Sequence, residues 1–267
     1  MIPYLDPNSI SIPLPLLGSI SIHAFGILVA TGIIVGMRLT KKRGRELGLV
    51  DEMVDSMITA ILITGFIVAH LFDVVAYQTF GGHPSLWDIL NPIAGFSSFG
   101  GFIGAVSALI IWCKVKRQDI MPYADSLGYG LASGWMFGRL GCYTAHDHPG
   151  NHTSFFLAVK YPDGPRNDLG FDEALWAAGM TLMFALLRRK RRPLGLYVSL
   201  LTLCYAPVRF GLDFLRVTDG FQGYEADPRY FHLTPAQWCC VAVFFASLGL
   251  LRWTLVHARG EKQPIAI

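Results

Sequence analysis

Seven apolar stretches alternate with short polar segments along the chain, near residues 20–39, 54–78, 98–113, 122–142, 172–187, 194–215 and 236–256. Each is long enough, or nearly so, to cross about 30 Å of hydrocarbon as a helix. The predicted fold is an all-α polytopic membrane protein with about seven transmembrane helices, a single transmembrane domain over residues 1–267. The Lys and Arg residues sort by side. Fifteen of the 22 either follow the first, third and fifth stretches or close the chain (Arg252, Arg259 and Lys262), and only Lys160, Arg166, Arg216 and Arg229 fall in the alternate connections. The positive-inside rule then puts the N-terminus outside and the C-terminus in the cytoplasm. An odd number of spans agrees, so seven fits better than six or eight. The larger connections, 1–19, 79–97, 143–171 and 216–234, share the outer side, which predicts an outward-facing polar site. Residues 1–19 contain no Lys or Arg and four prolines. They read as a short amphipathic element on the membrane interface rather than a secretory signal.

Composition sharpens this picture. Apolar residues make up 52% of the chain and charged residues 15%, with a mean hydropathy of +0.43; soluble proteins carry about 25% charge. The lipid bilayer is the expected surrounding, and no nucleic-acid partner is expected. The five cysteines at 113, 142, 204, 239 and 240 form no CxxC pair or metal-ligand spacing. No disulfide, structural zinc, metal or cofactor is expected.

Polar residues inside apolar stretches mark the candidate chemistry. The segment Gly138-Arg139-Leu140-Gly141-Cys142-Tyr143-Thr144-Ala145-His146-Asp147-His148-Pro149-Gly150 leaves the fourth stretch through an arginine, two glycines, a thiol, two histidines and a carboxylate. An arginine in lipid costs about 2.5–3.5 kcal/mol on insertion scales and calls for an anionic partner; Asp73, three residues after His70 in the second stretch, is one candidate. The two glycines permit close backbone approach or an irregular turn. In the sixth stretch Tyr205, Arg209 and Asp213 recur at i, i+4 and i+8 on one helical face, with Arg216 one turn on. That stripe suits a phosphate or carboxylate ligand; its bland alternative is a self-neutralising Arg209–Asp213 pair. Two buried arginines exceed what one aspartate neutralises, which favours an anionic ligand. Gly100, Gly101 and Gly104 in the third stretch suit close helix packing or, alternatively, backbone contact with a lipid headgroup. Glu173 opens the fifth stretch, where its charge complements the helix N-terminus. Gln237-Trp238 fits an interface anchor.

These motifs resemble those of bacterial prolipoprotein diacylglyceryl transferases. The 138–150 segment is similar to that family's Gly-Arg-x-Gly-Asn-Phe-x-Asn-x-Glu-x-x-Gly. Three more matches follow in order: Ser97-Ser98-Phe99-Gly100-Gly101-Phe102-Ile103-Gly104, Phe171-Asp172-Glu173, and Tyr205 through Arg216. The resemblance covers nearly the whole chain. The chain departs from the pattern at Phe99, which stands for a histidine, and at Cys142 and Ala145, which stand for asparagines. Asp147 and Asp213 stand for glutamates, and Phe25 for a tyrosine.

The resemblance implies transfer of a diacylglyceryl group from phosphatidylglycerol to the cysteine thiol of a prolipoprotein signal peptide, giving a thioether and glycerol phosphate, in the bacterial cytoplasmic (inner) membrane. Arg139 and Arg209 would hold the phosphodiester. With position 99 a phenylalanine, His146 or His148 beside Asp147 is the expected base for the thiol; solvated loop histidines are the plain alternative, and a covalent role for Cys142 the lesser one. Tyr143, Tyr205, Asp213, Arg216, Gly100, Gly101 and Glu173 complete the expected substrate contacts. The rival functions are a related transferase with another acceptor, and a non-catalytic membrane protein that binds an anion or lipid.

Overall fold

The computed structural model describes residues 1–5, 10–14, 18–74, 96–217 and 229–260. Seven α-helices lie among them: α1 (Ala24–Glu46), α2 (Asp51–Phe72), α3 (Ser98–Lys116), α4 (Ile120–Ala145), α5 (Leu169–Leu187), α6 (Leu196–Leu212) and α7 (Pro235–Gly260). Five of these (α1, α2, α5, α6 with its 3-10 extension, and α7) are long and apolar enough to cross a membrane. Their outward faces carry Ile27, Ile34, Ile63, Phe66, Leu182, Phe245 and Val256, all exposed. Large apolar side chains on the outside suit hydrocarbon rather than water as solvent. The far end of the second expected span, the connection from 79 to 95, and residues 218–228 lie outside the described residues.

Five short strands accompany the helices. β1 (Ile10–Leu14) and β2 (Gly18–Ile22) pair as an antiparallel hairpin. The interfacial element expected over residues 1–19 is thus partly a hairpin, and α1 starts at Ala24 rather than residue 20. β3 (Pro149–His152), β4 (Val159–Tyr161) and β5 (Gly164–Asp168) form an antiparallel sheet in the order β3-β5-β4. Hydropathy did not predict this sheet, because its strands are short and polar.

The chain forms two compact units. One holds residues 41–124. Within it α2 and α3 run in opposite directions, in contact through glycine. A Cβ at Gly104 would lie 2.8 Å from the Thr64 carbonyl oxygen, and one at Gly100 would lie 2.6 Å from that of Val68. Trp112 Nε1 donates to Ser56 Oγ at 3.1 Å farther along.

The second unit holds residues 1–40 and 125–267. Here Gly32 and Gly36 of α1 face Gly134 and Gly130 of α4, each pair spaced by four. This small-xxx-small pairing lets two backbones approach where lipid supplies no hydrophobic drive. A Cβ at Gly130 would collide with the Thr40 hydroxyl and lie 2.4 Å from the Gly36 carbonyl. We expect Gly130→Val to lower stability by about 1–3 kcal/mol, the usual cost of overpacking, measured by denaturant titration in detergent micelles; Gly138→Ala, whose Cβ meets nothing within 4 Å, is the neutral control for packing. Tyr129, Ala132, Met180, Phe184, Tyr197 and Leu201 fill the core between α4, α5 and α6. Asp125 Oδ1 accepts the Tyr197 N–H at 2.8 Å, which caps α6.

Candidate functional site

The site forms where α4, α5, α6 and α7 of the second unit bring polar groups together. Glu173 is its hub and is 1% exposed. It lies one turn into α5, whose start is fixed by Asp168 accepting the Phe171 N–H at 2.9 Å. Its Oε2 takes Arg139 Nε at 2.9 Å, the Tyr205 hydroxyl at 3.1 Å and Trp135 Nε1 at 3.3 Å. Its Oε1 faces Arg209 Nε at 3.7 Å. One carboxylate therefore sits between two guanidiniums and organises four side chains.

Arg209 also donates from Nη1 to Asp213 Oδ1 at 2.8 Å, the i, i+4 contact read from the sequence. The other Asp213 oxygen accepts a short hydrogen bond from the Thr234 hydroxyl. Thr234 is held by Gln237 in turn: the Thr234 N–H donates to Gln237 Oε1 at 3.0 Å, and Gln237 Nε2 donates to the Phe210 carbonyl at 3.2 Å. Gln237 is fully buried, so it fastens α7 to α6 rather than anchoring at the interface. Trp238 is half-exposed and donates to the Tyr230 carbonyl. The Arg139 guanidinium lies 4.9 Å from the Trp135 ring centroid, a cation–π contact.

Two expectations change here. Sequence reasoning offered Asp73 to Arg139; the ion pair observed is with Glu173. Glu173 also removes the argument from excess charge, since two carboxylates now face two guanidiniums. What remains is a matter of donors. Arg139 and Arg209 each turn Nε toward Glu173, and Arg209 donates from Nη1 to Asp213. Among the described residues nothing accepts from either Nη of Arg139 or from Nη2 of Arg209. Glu173 and Asp213 thus fix the two forks from one edge and leave N–H groups free on the other.

A second group adjoins the first. Cys142 lies three residues after Arg139, on the same face of α4. The helix ends at Ala145, and His146 takes a left-handed backbone with φ of 51°. That reversal brings Asp147 and His148 back beside Cys142, so that the Cys142 thiol and one ligand-capable atom each from Asp147 and His148 lie within 4.8 Å of one another. His148 Nδ1 contacts Asp147 Oδ1 at 2.6 Å.

His146 takes no place in either group. Its Nδ1 meets Asp168 Oδ2 at 3.2 Å and its Nε2 meets the Leu5 carbonyl at 2.8 Å. Both nitrogens face acceptors, so neither offers a lone pair to a substrate. The ring stacks on Tyr4 at 3.7 Å and is 5% exposed. Holding this ring holds the left-handed turn, which makes His146 a positioning residue. Tyr161 also donates to Asp168, at 2.8 Å; burial and the neighbouring Asp168 carboxylate push its phenol well above the ordinary value, so it stays a donor. Tyr143 is likewise structural: its hydroxyl donates to the Pro3 carbonyl at 2.5 Å.

Other expected residues lie elsewhere. Arg216 leaves the Tyr205–Asp213 stripe, because α6 gives way to a 3-10 turn at Asp213–Leu215 and Arg216 is extended, its backbone bridged to Gly150. Gly100 and Gly101 belong to the other compact unit; Gly100 packs on Val68, Ala69 and Phe72, and Gly101 meets Ala69. Gly141 makes the close approach expected of it, to Phe25, whereas Gly138 faces open space, and α4 passes through both without an irregular turn. Trp135 and Thr234 were missed. Trp135 precedes Arg139 by four, a spacing that places it on the same face; Thr234 carries no such sequence signal.

The fold and this site define a helical membrane protein with a buried, charge-paired arginine centre. The sequence profile of the prolipoprotein diacylglyceryl transferases matches residues 12–253. The chain belongs to this family and is a transferase of lipoprotein biosynthesis. It is 29% identical to a phosphatidylglycerol–prolipoprotein diacylglyceryl transferase of Nitratidesulfovibrio vulgaris, over 94% of this chain and 95% of that one. A protein of the same name from Cupriavidus necator is 24% identical over 99% and 98%. One from Clostridium perfringens, numbered 1, is 25% identical over 92% and 95%.

Proposed function

We propose that this protein transfers the diacylglyceryl group of phosphatidylglycerol to the lipobox cysteine of a prolipoprotein signal peptide, at the outer side of a bacterial cytoplasmic membrane. The topology proposed with it has seven spans, the N-terminus outside and the C-terminus in the cytoplasm. The observation that carries the reading is the pair of guanidiniums fixed by Glu173 and Asp213 with N–H groups to spare. A phosphodiester oxygen facing those groups receives charge-assisted hydrogen bonds. They strengthen as the glyceryl carbon–oxygen bond breaks and negative charge gathers on the phosphate, so they favour the transition state over the bound lipid. Tyr205 holds Glu173 in place, and Trp135 covers the Arg139 face. The acceptor thiol must shed its proton to attack; Cys142, Asp147 and His148 beside Arg139 are the polar groups placed to handle it.

The test is rescue of a bacterium depleted of its own transferase. Expression of this chain is expected to restore growth and to add one diacylglyceryl mass to a lipoprotein cysteine. No mass shift from well-expressed protein would refute the reading. In the same assay His148→Gln is expected to slow transfer about 10²-fold, in the range of lost proton-handling groups, while the fold stays intact by circular dichroism.

A further inference from the structure

Cys142, Asp147 and His148 form a donor set that the arginine chemistry does not explain. A thiol, a carboxylate and an imidazole converge, each offering one atom, with those atoms within 4.8 Å of one another. Tetrahedral zinc takes the same three ligand types, with ligand atoms about 3.5 Å apart; small side-chain adjustments suffice, the His148 Nδ1–Asp147 Oδ1 pair opening from 2.6 Å. Asp147 has the room to make them: its side chain is 37% exposed. The turn is held independently of these groups, because His146 is locked by Asp168, Leu5 and Tyr4, and Pro149 begins β3 immediately after His148. The backbone is therefore prearranged before any ion arrives. Three protein ligands leave the fourth zinc position open, the arrangement of catalytic rather than structural sites.

We propose that Cys142, Asp147 and His148 bind one divalent transition metal, zinc by preference, and that the acceptor cysteine takes the fourth position. The binding claim rests on these three side chains alone; the role in catalysis rests on the transferase reading. A metal-coordinated thiol is deprotonated outright, so the ion does the work of the imidazole that Phe99 replaces. The acceptor S–H proton passes to water as the sulfur coordinates. The sulfur electron pair then forms a bond to the glyceryl carbon that bears the phosphate. The carbon–oxygen bond breaks, its electron pair stays on the phosphate oxygen, and glycerol phosphate leaves with that charge facing Arg139 and Arg209. The thioether formed is neutral and a weaker ligand than the thiolate, so the product leaves the metal. No oxidant or further reactant is needed.

The experiment uses tag-free, detergent-solubilised full-length protein, stripped with chelator and titrated with Co²⁺ as the probe. The expected result is one Co²⁺ per chain, a thiolate-to-metal charge-transfer band and the intense d–d bands of tetrahedral cobalt. Cys142→Ser removes the charge-transfer band, and His148→Gln weakens binding at least tenfold, both with unchanged circular dichroism. A cysteine peptide shifts the d–d bands, and stripped protein loses transfer activity at least tenfold and regains it with Zn²⁺. No charge-transfer band in the wild type, or an undiminished one in Cys142→Ser, overturns the site. Full-rate transfer by verified metal-free protein overturns the role in activation while the transferase reading survives. Cobalt bands in a metal-loaded protein that lipidates nothing would support the site and sink the transferase reading instead.

Discussion

Cells that depend on this protein are expected to stop lipidating their prolipoproteins when Arg139 and Arg209 are both replaced by leucine. Loss of one preorganised donor costs about 10²–10³ in rate. The two arginines share Glu173, so they act as a unit and the double loss need not multiply. Either single leucine is therefore expected to cost most of the activity and the pair to abolish it, as read by mass spectrometry of a lipoprotein cysteine. Arg139→Lys separates charge from geometry. Lysine keeps the positive charge but lacks the planar fork that reaches Glu173 through Nε while presenting two Nη groups elsewhere. It is expected to retain less than about a tenth of the rate. Rates near wild type for Arg139→Lys would mean that charge alone suffices, and full lipidation by the double leucine variant would remove the arginines from the reaction.

Glu173→Ala has the second large effect, and it falls on stability as well as activity. This one carboxylate ion-pairs with Arg139, accepts from Tyr205 and Trp135 and faces Arg209, almost wholly buried. Removing one partner of a buried ion pair typically costs 3–5 kcal/mol, because the charge left behind is uncompensated. The unfolding midpoint in micelles is expected to fall accordingly. A cycle with Arg139→Leu separates the two effects. Glu173→Ala with Arg139→Leu removes both members of the pair, and the double variant is expected to recover stability relative to the sum of the singles. Its transfer activity is expected to stay lost. A cycle without coupling would mean that Glu173 does not act through Arg139.

The sequence disclosed some parts of this structure and hid others for definable reasons. Hydrocarbon imposes a length and an apolarity on any helix that crosses it, so α5, α6 and α7 were found close to their ends and α2 close to its start. The Tyr205–Arg209–Asp213 stripe was readable because regular helix periodicity holds between those positions; it failed at Arg216 because the last turn tightens to 3-10 and then extends. Glu173 was visible as a residue but not as the hub, since its partners come from α4 and α6, far away in sequence. The sheet over residues 149–168 escaped because strands such as Val159–Tyr161 and Gly164–Asp168 are too short and polar to show alternation. His146 looked like a base because it neighbours Asp147; the left-handed turn sends its ring toward Asp168 and the N-terminal residues instead. The same turn joins Cys142 to Asp147 and His148, a grouping that a search for paired cysteines does not find.

The first residues of the chain bear on how this protein is made. Ile2 exchanges backbone hydrogen bonds with Ala158 and Lys160, while Pro3 and Leu5 receive Tyr143 and His146. Residues 2–5 thus leave the ribosome well before the segment they pair with. The cover that Tyr4 and Leu5 place over His146 closes only after the fourth helix has emerged, so a nascent chain arrested ahead of residue 158 would carry an uncovered His146.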